Sequence, residues 1–325
     1  MLKSDKKFTF IIKKTNELDS DEINQINRLF NKTFDKKRTE EEFKKKFLNN
    51  FFNFSFHGLM KLEDTIVGCY HVVPYEFTFF SEKKLFGQSV DTTIHSDFRG
   101  NIYNLKKLAK KVYDEIKKNN IFFVYGLPNE KFYLVKKKVL GWRDLGKLNY
   151  YVYPNSLQKF YKKFFPINIL LTVFLKFLIN IKIKKKSKYK FSVYKINNEN
   201  FNKSRYNDNK DYKFVYSENY KLIYKIVKNE KYNDARILYI IDIFPLTQEN
   251  LEKSIKELKR LETSVDMIIY IGKLKTTPDS LLRIPDFFLK KQTYVSGIVL
   301  DSGQINDRIF NIFNWNINLS NFDIK

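Results

Sequence analysis

The stretch QSVDTTIHSDFRGNIYNLKKLAKKVYDEI, from Gln88 to Ile116, decides the fold. In its first part, Val90 to Ile94 are rich in β-forming residues, and a period of two places Asp91, Thr93 and His95 on one face of a strand. In its second part, apolar residues recur at three- and four-residue spacing, which predicts a helix with one apolar face. These residues are Leu105, Leu108, Ala109, Val112 and Ile116. A strand that leads directly into an amphipathic helix predicts an α/β fold.

The loop between this strand and this helix, Ser96 to Asn104, carries Arg99 and Gly100. The first amides of a helix have no partner inside the helix, and the helix dipole makes this end attractive to anions. A basic residue beside those amides adds to that attraction. The loop therefore predicts a site for a phosphate or a pyrophosphate.

The strand, loop and helix resemble motif A of the GNAT superfamily of acyl-coenzyme A dependent N-acyltransferases. In that motif an Arg/Gln-x-x-Gly-x-Gly/Ala loop holds the pyrophosphate of coenzyme A. Arg99 matches the first position, whereas Ile102 and Asn104 stand where the two glycines are expected, and a Cβ there keeps the backbone farther from the phosphates. The resemblance implies a coenzyme site made by two short runs of residues. They are Ile94, His95, Arg99, Gly100, Asn101, Ile102, Tyr103 and Asn104.

A second stretch, IFFVYGLPNEKFYLVKKKVLGW at 121–142, resembles motif B of the same superfamily. Its apolar start predicts a buried strand, Asn129 follows that strand, and the next helix ends at Gly141. In the superfamily an asparagine at this place and a tyrosine on the following helix approach the acyl thioester and the coenzyme. Asn129 and Tyr133 are the matching residues, and the resemblance implies that Tyr133 protonates the leaving thiolate.

The first part of the chain, residues 1–155, has the element order of one GNAT domain, with Lys147 to Pro154 as the predicted closing strand. In such domains the loop after the first helix borders the acceptor site, so Phe34 and Asp35 are candidates for acceptor binding. A solvated turn is the alternative for this loop.

Two further strand residues, His71 and Tyr75, are candidates for the same acceptor pocket. They share one face of the predicted third strand, where a histidine is often simply a buried, hydrogen-bonded side chain. Asp91 and His95 are the candidates for the catalytic base, because a carboxylate or an imidazole could take the proton of an incoming amine. The alternatives are that Asp91 bonds neighbouring backbone or lysines and that His95 caps the loop.

Residues 156–189 change in character. The run FFPINILLTVFLKFLINI at 164–181 is apolar for about the length that a bilayer needs, but Lys176 interrupts it and KIKKKSK follows at once. Three interpretations stay open for this linker. It is a helix packed between domains, a membrane span, or an interfacial helix whose basic tail makes 160–188 a peripheral contact with anionic lipid.

Residues 190–325 repeat the α/β pattern, with strands expected at 236–244, 265–272 and 293–300 and a helix at Asn219 to Lys228. No basic, glycine-containing loop follows the strand at 236–244. The predicted fold class is therefore α/β with two tandem GNAT-like domains, each a mixed central sheet flanked by helices, the second one degenerate.

The composition bounds the function. The chain has 325 residues and a net charge of +24, which suits nucleic acid or an anionic surface. Its lysines are spread over most of the predicted helices and no recognition motif for nucleic acid is present, so we expect no specific nucleic acid. With Cys69 as the single cysteine, a cysteine-based zinc cluster is excluded and no metal is expected. The N-terminal residues lack the apolar core of a secretion signal, which favours a cytoplasmic location.

The sequence thus predicts an N-acyltransferase that uses acetyl-coenzyme A or a short hydroxyacyl-coenzyme A and a primary amine. Tandem domains with one site resemble a group of bacterial N-acyltransferases that modify amino sugars carried on a nucleotide diphosphate, which implies a small-molecule acceptor of surface polysaccharide synthesis. The alternatives are an acetyltransferase of a protein or antibiotic amine and a non-enzymatic nucleic-acid binder. A homodimer is possible.

Overall fold

The stretch from Gln88 to Ile116 forms a strand, a short turn and a helix in the computed structural model, as its pattern predicts. The structure describes residues 7–48, 50, 52–160, 165–181, 189–197, 199–202, 205–206 and 211–321. Contacts within the chain divide it into two units. The first comprises Met1–Gly146, Lys195–Arg205 and Tyr294–Phe310, and the second comprises Lys147–Tyr194, Tyr206–Thr293 and Asn311–Lys325.

The first unit is built on a mixed sheet, and we number strands and helices in chain order. Its strands are β1 (Phe8–Lys14), β2 (Phe56–Leu62), β3 (Thr65–Phe79), β4 (Glu82–Ile94), β5 (Ile121–Gly126), β6 (Arg143–Lys147) and β14 (Tyr294–Val299). Its helices are α1 (Ser20–Phe34), α2 (Glu40–Leu48), α3 (Ile102–Lys118), α4 (Glu130–Val139) and the short α6 (Glu199–Asn202). The strand order is β1-β2-β3-β4-β5-β14-β6. The pairs β1–β2, β2–β3, β3–β4 and β5–β14 are antiparallel, whereas β4–β5 is parallel.

Helices cover both faces of this sheet. Leu108 and Val112 of α3 are fully buried in a cluster that includes Tyr70 and Val72 of β3. The residue between those two, His71, points to the opposite face because successive strand residues alternate, and its ring packs 5.1 Å from that of Phe47 in α2. The apolar helix face predicted for 105–116 is therefore the face that α3 buries.

The second unit contains another mixed sheet. The strands of this sheet are β7 (Asn149–Pro154), β9 (Tyr212–Tyr216), β10 (Lys221–Asn229), β11 (Ala235–Phe244), β12 (Met267–Gly272) and β13 (Leu282–Arg283), and the helices of the unit are α5 (Phe165–Ile181) and α7 (Gln248–Leu261). Two short strands, β8 (Val193–Lys195) and β15 (Trp315–Asn316), pair in parallel with each other outside this sheet. The strand order is β13-β7-β12-β11-β10-β9, in which β11 and β12 are parallel. Two mixed sheets with flanking helices confirm the predicted α/β class, and the degeneracy of the second domain stays a prediction.

Two strands pair differently from the prediction. The strand expected to close the first domain is β7, which pairs with β12 of the second unit in antiparallel register, Tyr151 opposite Tyr270. The strand expected at 293–300 is β14, which pairs with β5 of the first unit, Ser296 opposite Gly126. Apolar patterning identifies a strand, but pairing depends on which sheet edge its register and side chains fit. The two units therefore differ from the predicted limits 1–155, 156–189 and 190–325.

The predicted helix from Asn219 to Lys228 is wrong, because this segment is β10. Leu222, Ile223 and Tyr224 are consecutive and all buried. Three consecutive side chains cannot share one helix face, whereas a central strand with both faces covered buries them all.

Helix α5 confirms that a helix follows residue 164. None of the helices within the described ranges is long and apolar enough to cross a membrane. The basic tail KIKKKSK at 182–188 lies outside the described residues.

Candidate active site

The first unit has an opening between two parallel strands. The β4–β5 ladder runs from Leu85 opposite Ile121 to Gln88 opposite Tyr125. Beyond this point β5 ends at Gly126, whereas β4 continues for six residues to Ile94. The carboxyl ends of neighbouring parallel strands, where their backbones diverge, are the usual ligand site of α/β folds.

A β-bulge lies in the part of β4 that borders this opening. The register with β3 passes from His71 opposite Val90 to Cys69 opposite Thr93, so two β4 residues face Tyr70 alone. Asp91 is one of them and has a φ of 46°. A positive φ is uncommon for a residue with a side chain, and a bulge turns side chains away from strict alternation.

Asp91 is the centre of an ion cluster. Its Oδ2 accepts hydrogen bonds from Arg38 Nη1 at 2.6 Å and from Lys46 Nζ at 2.9 Å. The side chain of Arg38 is fully buried, and its guanidinium carbon lies 3.8 Å from the centre of the Phe30 ring. Pairing with lysine was the alternative to the role of base, and the geometry supports that alternative.

His95 ends β4 and caps the following turn. Its Nδ1 accepts a hydrogen bond from the amide of Asp97 at 3.4 Å, and its Nε2 lies 3.4 Å from Nζ of Lys32. The amide of His95 donates to the carbonyl of Val67 at 2.8 Å. This amide is therefore used within the sheet.

The predicted anion loop leads into α3, which begins at Ile102. Arg99 Nε donates to the carbonyl of Ile94 at 2.8 Å, and the side chain of Asn101 accepts from the amide of Tyr103 at 3.1 Å. The first turn of α3 contains no acidic residue. Ile102 and Tyr103 are exposed, at 56% and 67%. Asn104, by contrast, is buried, and its amide donates to the carbonyl of Asn101. The loop is thus accessible and carries Arg99 at the positive end of a 17-residue helix.

Gly100, the single glycine of this loop, has no neighbouring atom within 4 Å of the place where a Cβ would stand. No close packing therefore requires a glycine at this position.

The motif B residues lie at the start of α4. The side chain of Asn129 caps this helix by accepting from the amide of Phe132 at 2.9 Å. The hydroxyl of Tyr133 donates to Asp144 Oδ1 at 2.6 Å, and its ring stacks on Tyr294 at 4.4 Å. Burial and the Asp144 carboxylate raise the pKa of Tyr133. A tyrosine held in this way is a weaker acid than a free one.

The acceptor candidates are spread out. His71 is buried with its Nδ1 2.8 Å from Nδ1 of His57, and burial lowers the pKa of His57 to about 3 and that of His71 well below its usual range. Tyr75 is buried beneath the Lys195 amine, 4.5 Å from its ring centre. Phe34 is 37% exposed at the end of α1, and Asp35 after it has a φ of 51°. The structure therefore joins His71 to an aromatic core, and only the Phe34–Asp35 turn is open.

A residue that the sequence reasoning missed lies at the opening. Lys136 of α4 is 2% exposed, and its Nζ donates to Ser89 Oγ at 3.1 Å. The same nitrogen stands 2.9 Å from the place where a Cβ of Gly126 would be, so the absent side chain provides its space. Ser89 and Gly126 are the first residues past the β4–β5 ladder. The amine therefore lies where the two strands separate.

The Lys136 amine is also the end of a buried polar chain. Ser89 is hydrogen-bonded to Tyr70, whose hydroxyl lies 2.9 Å from that of Tyr113. Trp142 Nε1 donates to the Tyr113 hydroxyl at 2.8 Å, and the Trp142 ring lies 3.8 Å from Lys136 Nζ.

Burial lowers the pKa of Lys136 well below its usual range. The Trp142 ring favours the ammonium form by an amount on the order of 1 kcal/mol, which full desolvation outweighs. A neutral lysine amine can accept a proton. The burial of Lys136 could have been predicted from the sequence. This residue lies four positions after Phe132 and three before Val139, on the apolar face of α4.

Comparisons with known proteins concern the fold and the class of domain. Residues 14–148 match the family model described as "Acetyltransferase (GNAT) domain". No curated protein matches the sequence. A probable N-acyltransferase from Enterococcus faecalis V583 is similar in structure with a TM-score of 0.59 and 13% identity, covering 91% of this chain and 74% of that chain. A GCN5-related N-acetyltransferase from Anabaena variabilis ATCC 29413 has a TM-score of 0.61 and 11% identity, covering 90% and 74%.

A third similar structure is the N-myristoyltransferase of Saccharomyces cerevisiae with bound myristoyl-CoA, with a TM-score of 0.50 and 11% identity, covering 89% of this chain and 82% of that chain. At such identities the likeness shows the fold. The match of residues 14–148 to the GNAT acetyltransferase domain model supports an acyl-coenzyme A dependent N-acyltransferase. The prediction of this class of enzyme is confirmed.

Proposed function

We propose that the acyl-coenzyme A donor binds along the opening between β4 and β5, with its pyrophosphate at the Arg99–Asn104 loop. The observation that carries this proposal is the end of the β4–β5 ladder at Gln88 and Tyr125 beside a buried amine. The thioester would lie near Ser89 and Gly126. The proposed donor is acetyl-coenzyme A or a short hydroxyacyl-coenzyme A, and the acceptor is a primary amine.

The transfer would proceed by direct attack. The acceptor nitrogen forms a bond to the thioester carbon, and the negative charge on the carbonyl oxygen is held by a backbone amide. The His95 amide donates to β3 and does not fill this role, so the donor would be a β4 amide beside Ser89, where the thioester is proposed to lie. The carbon–sulfur bond then breaks and releases the coenzyme A thiolate.

Lys136 would move the proton in this reaction. Its neutral amine takes the proton that the acceptor nitrogen loses, and the resulting ammonium gives it to the departing thiolate, which restores the neutral amine. Tyr133 was expected to donate that proton. Its hydrogen bond to Asp144 supports Lys136 instead.

The finer specificity that we propose is an amino sugar on a nucleotide diphosphate. The resemblance in layout supports it, and the net charge of +24 favours an anionic acceptor. Acceptors on a protein or an antibiotic are the alternative. We also propose that the enzyme acts in the cytoplasm, where acyl-coenzyme A donors are made.

A matched pair of substitutions tests the proposal. Lys136→Met keeps the length of the side chain and removes the amine, whereas Lys137→Met removes the exposed neighbour that pairs with Asp144. With acetyl-coenzyme A and a panel of amines, including nucleotide-linked amino sugars, the release of coenzyme A thiol measures turnover. Lys136→Met should lower kcat about a hundredfold or more and Lys137→Met less than about threefold. Equal rates for both variants would reject the role of Lys136, and no stabilisation by acetyl-coenzyme A in a thermal shift would reject the donor site.

A further inference from the structure

Helix α5 exposes an apolar face to solvent. Six large apolar side chains on this helix are each more than half exposed. They are Ile167, Leu170, Val173, Phe174, Phe177 and Ile181. Isolated exposed apolar residues are ordinary, but a contiguous set of this size marks a surface that binds another apolar phase.

The opposite face of α5 is buried and contains polar side chains besides the core residue Ile179. Asn168 is 3% exposed and Thr172 is 8% exposed. Thr172 Oγ1 accepts a hydrogen bond from the amide of Leu157 at 3.2 Å, and Lys176 Nζ donates to the carbonyl of Asn155 at 2.9 Å. A helix on a water-exposed surface has the reverse arrangement, with its apolar stripe facing the core. Thr172 and Lys176 therefore find partners inside the second unit, and the exposed side of α5 is mainly apolar.

The charge of the helix and of the chain identifies the occupant. Residues 165–181 contain no acidic side chain, and their single charge, Lys176, is directed inward. The protein has a net charge of +24, and five of the seven residues at 182–188 are lysine. An apolar face combined with positive charge matches the acyl and phosphate layers of an anionic bilayer. A second copy of this chain would bring the same positive charge against itself.

We propose that α5 docks this protein on the surface of an anionic phospholipid membrane, lying in the headgroup layer with its apolar face toward the acyl chains. A 17-residue helix is about 26 Å long. It would place its six large apolar side chains along one line in the interface. This inference does not depend on the acyl transfer reaction, because α5 belongs to the second unit.

Vesicle co-sedimentation of the full chain tests this proposal. The probes are vesicles of pure phosphatidylcholine and vesicles with about one third phosphatidylglycerol. We expect binding to the anionic vesicles that weakens in high salt, and at least about tenfold weaker binding to the neutral ones, since each basic residue near such a surface contributes about 1 kcal/mol. No binding to anionic vesicles, or equal binding to both kinds, would overturn the proposal.

A substitution pair locates the surface. Leu170→Gln/Phe174→Gln/Phe177→Gln removes the outer face of α5 without touching its buried side. Phe287→Gln/Phe288→Gln is the control, because these aromatic residues are 80% and 69% exposed in the second unit outside α5. The triple variant should lose vesicle binding at least about tenfold and the control should not. A dimer that the triple variant dissociates, with no vesicle binding by the parent, would assign the face to a second copy and overturn the proposal. Thermal stabilisation by acetyl-coenzyme A should be equal in all three proteins, which separates this result from the proposed function.

Discussion

At the scale of single residues, the ion cluster at the bulge of β4 contributes to stability. Arg38 and Lys46 both donate to Oδ2 of Asp91, and the Arg38 side chain is fully buried. A buried cation that loses its carboxylate partner keeps the cost of desolvation without the attraction. The ion cluster therefore stabilises the strained backbone of Asp91 as well as the loop that carries Arg38.

Replacement of Asp91 tests this role. Asp91→Asn should lower the free energy of unfolding by about 2–4 kcal/mol, because two cations lose their counter-charge. Asp144→Asn, at the exposed pair with Lys137, is the control and should cost less than about 1 kcal/mol. Urea denaturation measures both. If Asp91→Asn is as stable as the parent but acylates its amine a hundredfold more slowly, Asp91 acts as the base.

The buried histidine pair gives a pH dependence. The pKa of His57 is about 3 in the folded chain and near 6.5 in the unfolded chain, and that of His71 is also lowered by burial. The unfolded state therefore binds more protons below pH 6.5, so stability is complete above that pH and is lost as the pH falls toward 3. Between pH 6.5 and 5 the loss should be about 2 kcal/mol for His57 alone.

Unfolding midpoints measured between pH 7 and 5 check this expectation. The double variant His57→Leu/His71→Leu should lose most of the slope, and His95→Gln, which leaves the buried pair intact, should keep it. Glu22 also makes stability sensitive to acid, because Lys13 and Lys61 lower its pKa against the effect of burial. The range from pH 7 to 5 lies above the pH at which Glu22 takes up its proton. A parent protein with no change in stability across the interval would contradict the buried, neutral pair.

At the scale of elements, the two helices that follow parallel strands differ at their N-termini. The first turn of α3 has no acidic residue and is preceded by Arg99, whereas the first turn of α7 contains Glu249 and its cap is Thr247. A carboxylate at a helix N-terminus competes with a bound anion for the same field. The α3 end is therefore the better pyrophosphate site.

Charge reversal at Arg99 tests the α3 site. Arg99→Glu should weaken the binding of acetyl-coenzyme A at least about tenfold, because it brings a negative charge to the phosphates and removes a charge-assisted donor. Isothermal calorimetry measures the change, and Arg260→Glu, on the exposed end of α7, is the control of equal charge. Unchanged affinity in Arg99→Glu would mean that the pyrophosphate lies elsewhere.

At the scale of the whole molecule, the difference between these helix ends predicts one coenzyme per chain. The second unit has the parallel pair β11–β12 with α7 between them, as the first has β4–β5 with α3. We expect calorimetric titration with acetyl-coenzyme A to give one site per chain, abolished or strongly weakened by Arg99→Glu. Two sites per chain would show that the second unit also binds the coenzyme and would end the proposal that it is degenerate.

Local patterns in the sequence were sufficient for the elements that surround the opening. The stripe from Leu105 to Ile116 predicted α3, the run at 121–126 predicted β5, and Asn129 marked the start of α4. Each of these patterns depends on neighbours within one or two turns or strand pairs, so it can be read along the chain. The same patterns, through their resemblance to the GNAT motifs, led to the class of enzyme.

The sequence by itself determined the strand–loop–helix unit, the apolar faces and the basic loop at the positive end of α3, since these follow from periodicity and helix polarity. Only the tertiary structure decided which sheet β7 and β14 join, that Asp91 lies in a bulge beside Arg38, and that Lys136 reaches Ser89 across the absent side chain of Gly126. These contacts join residues distant in the chain. Their partners are selected by packing and by the cost of burying an unpaired charge, and the local periodicity of the sequence determines neither of these.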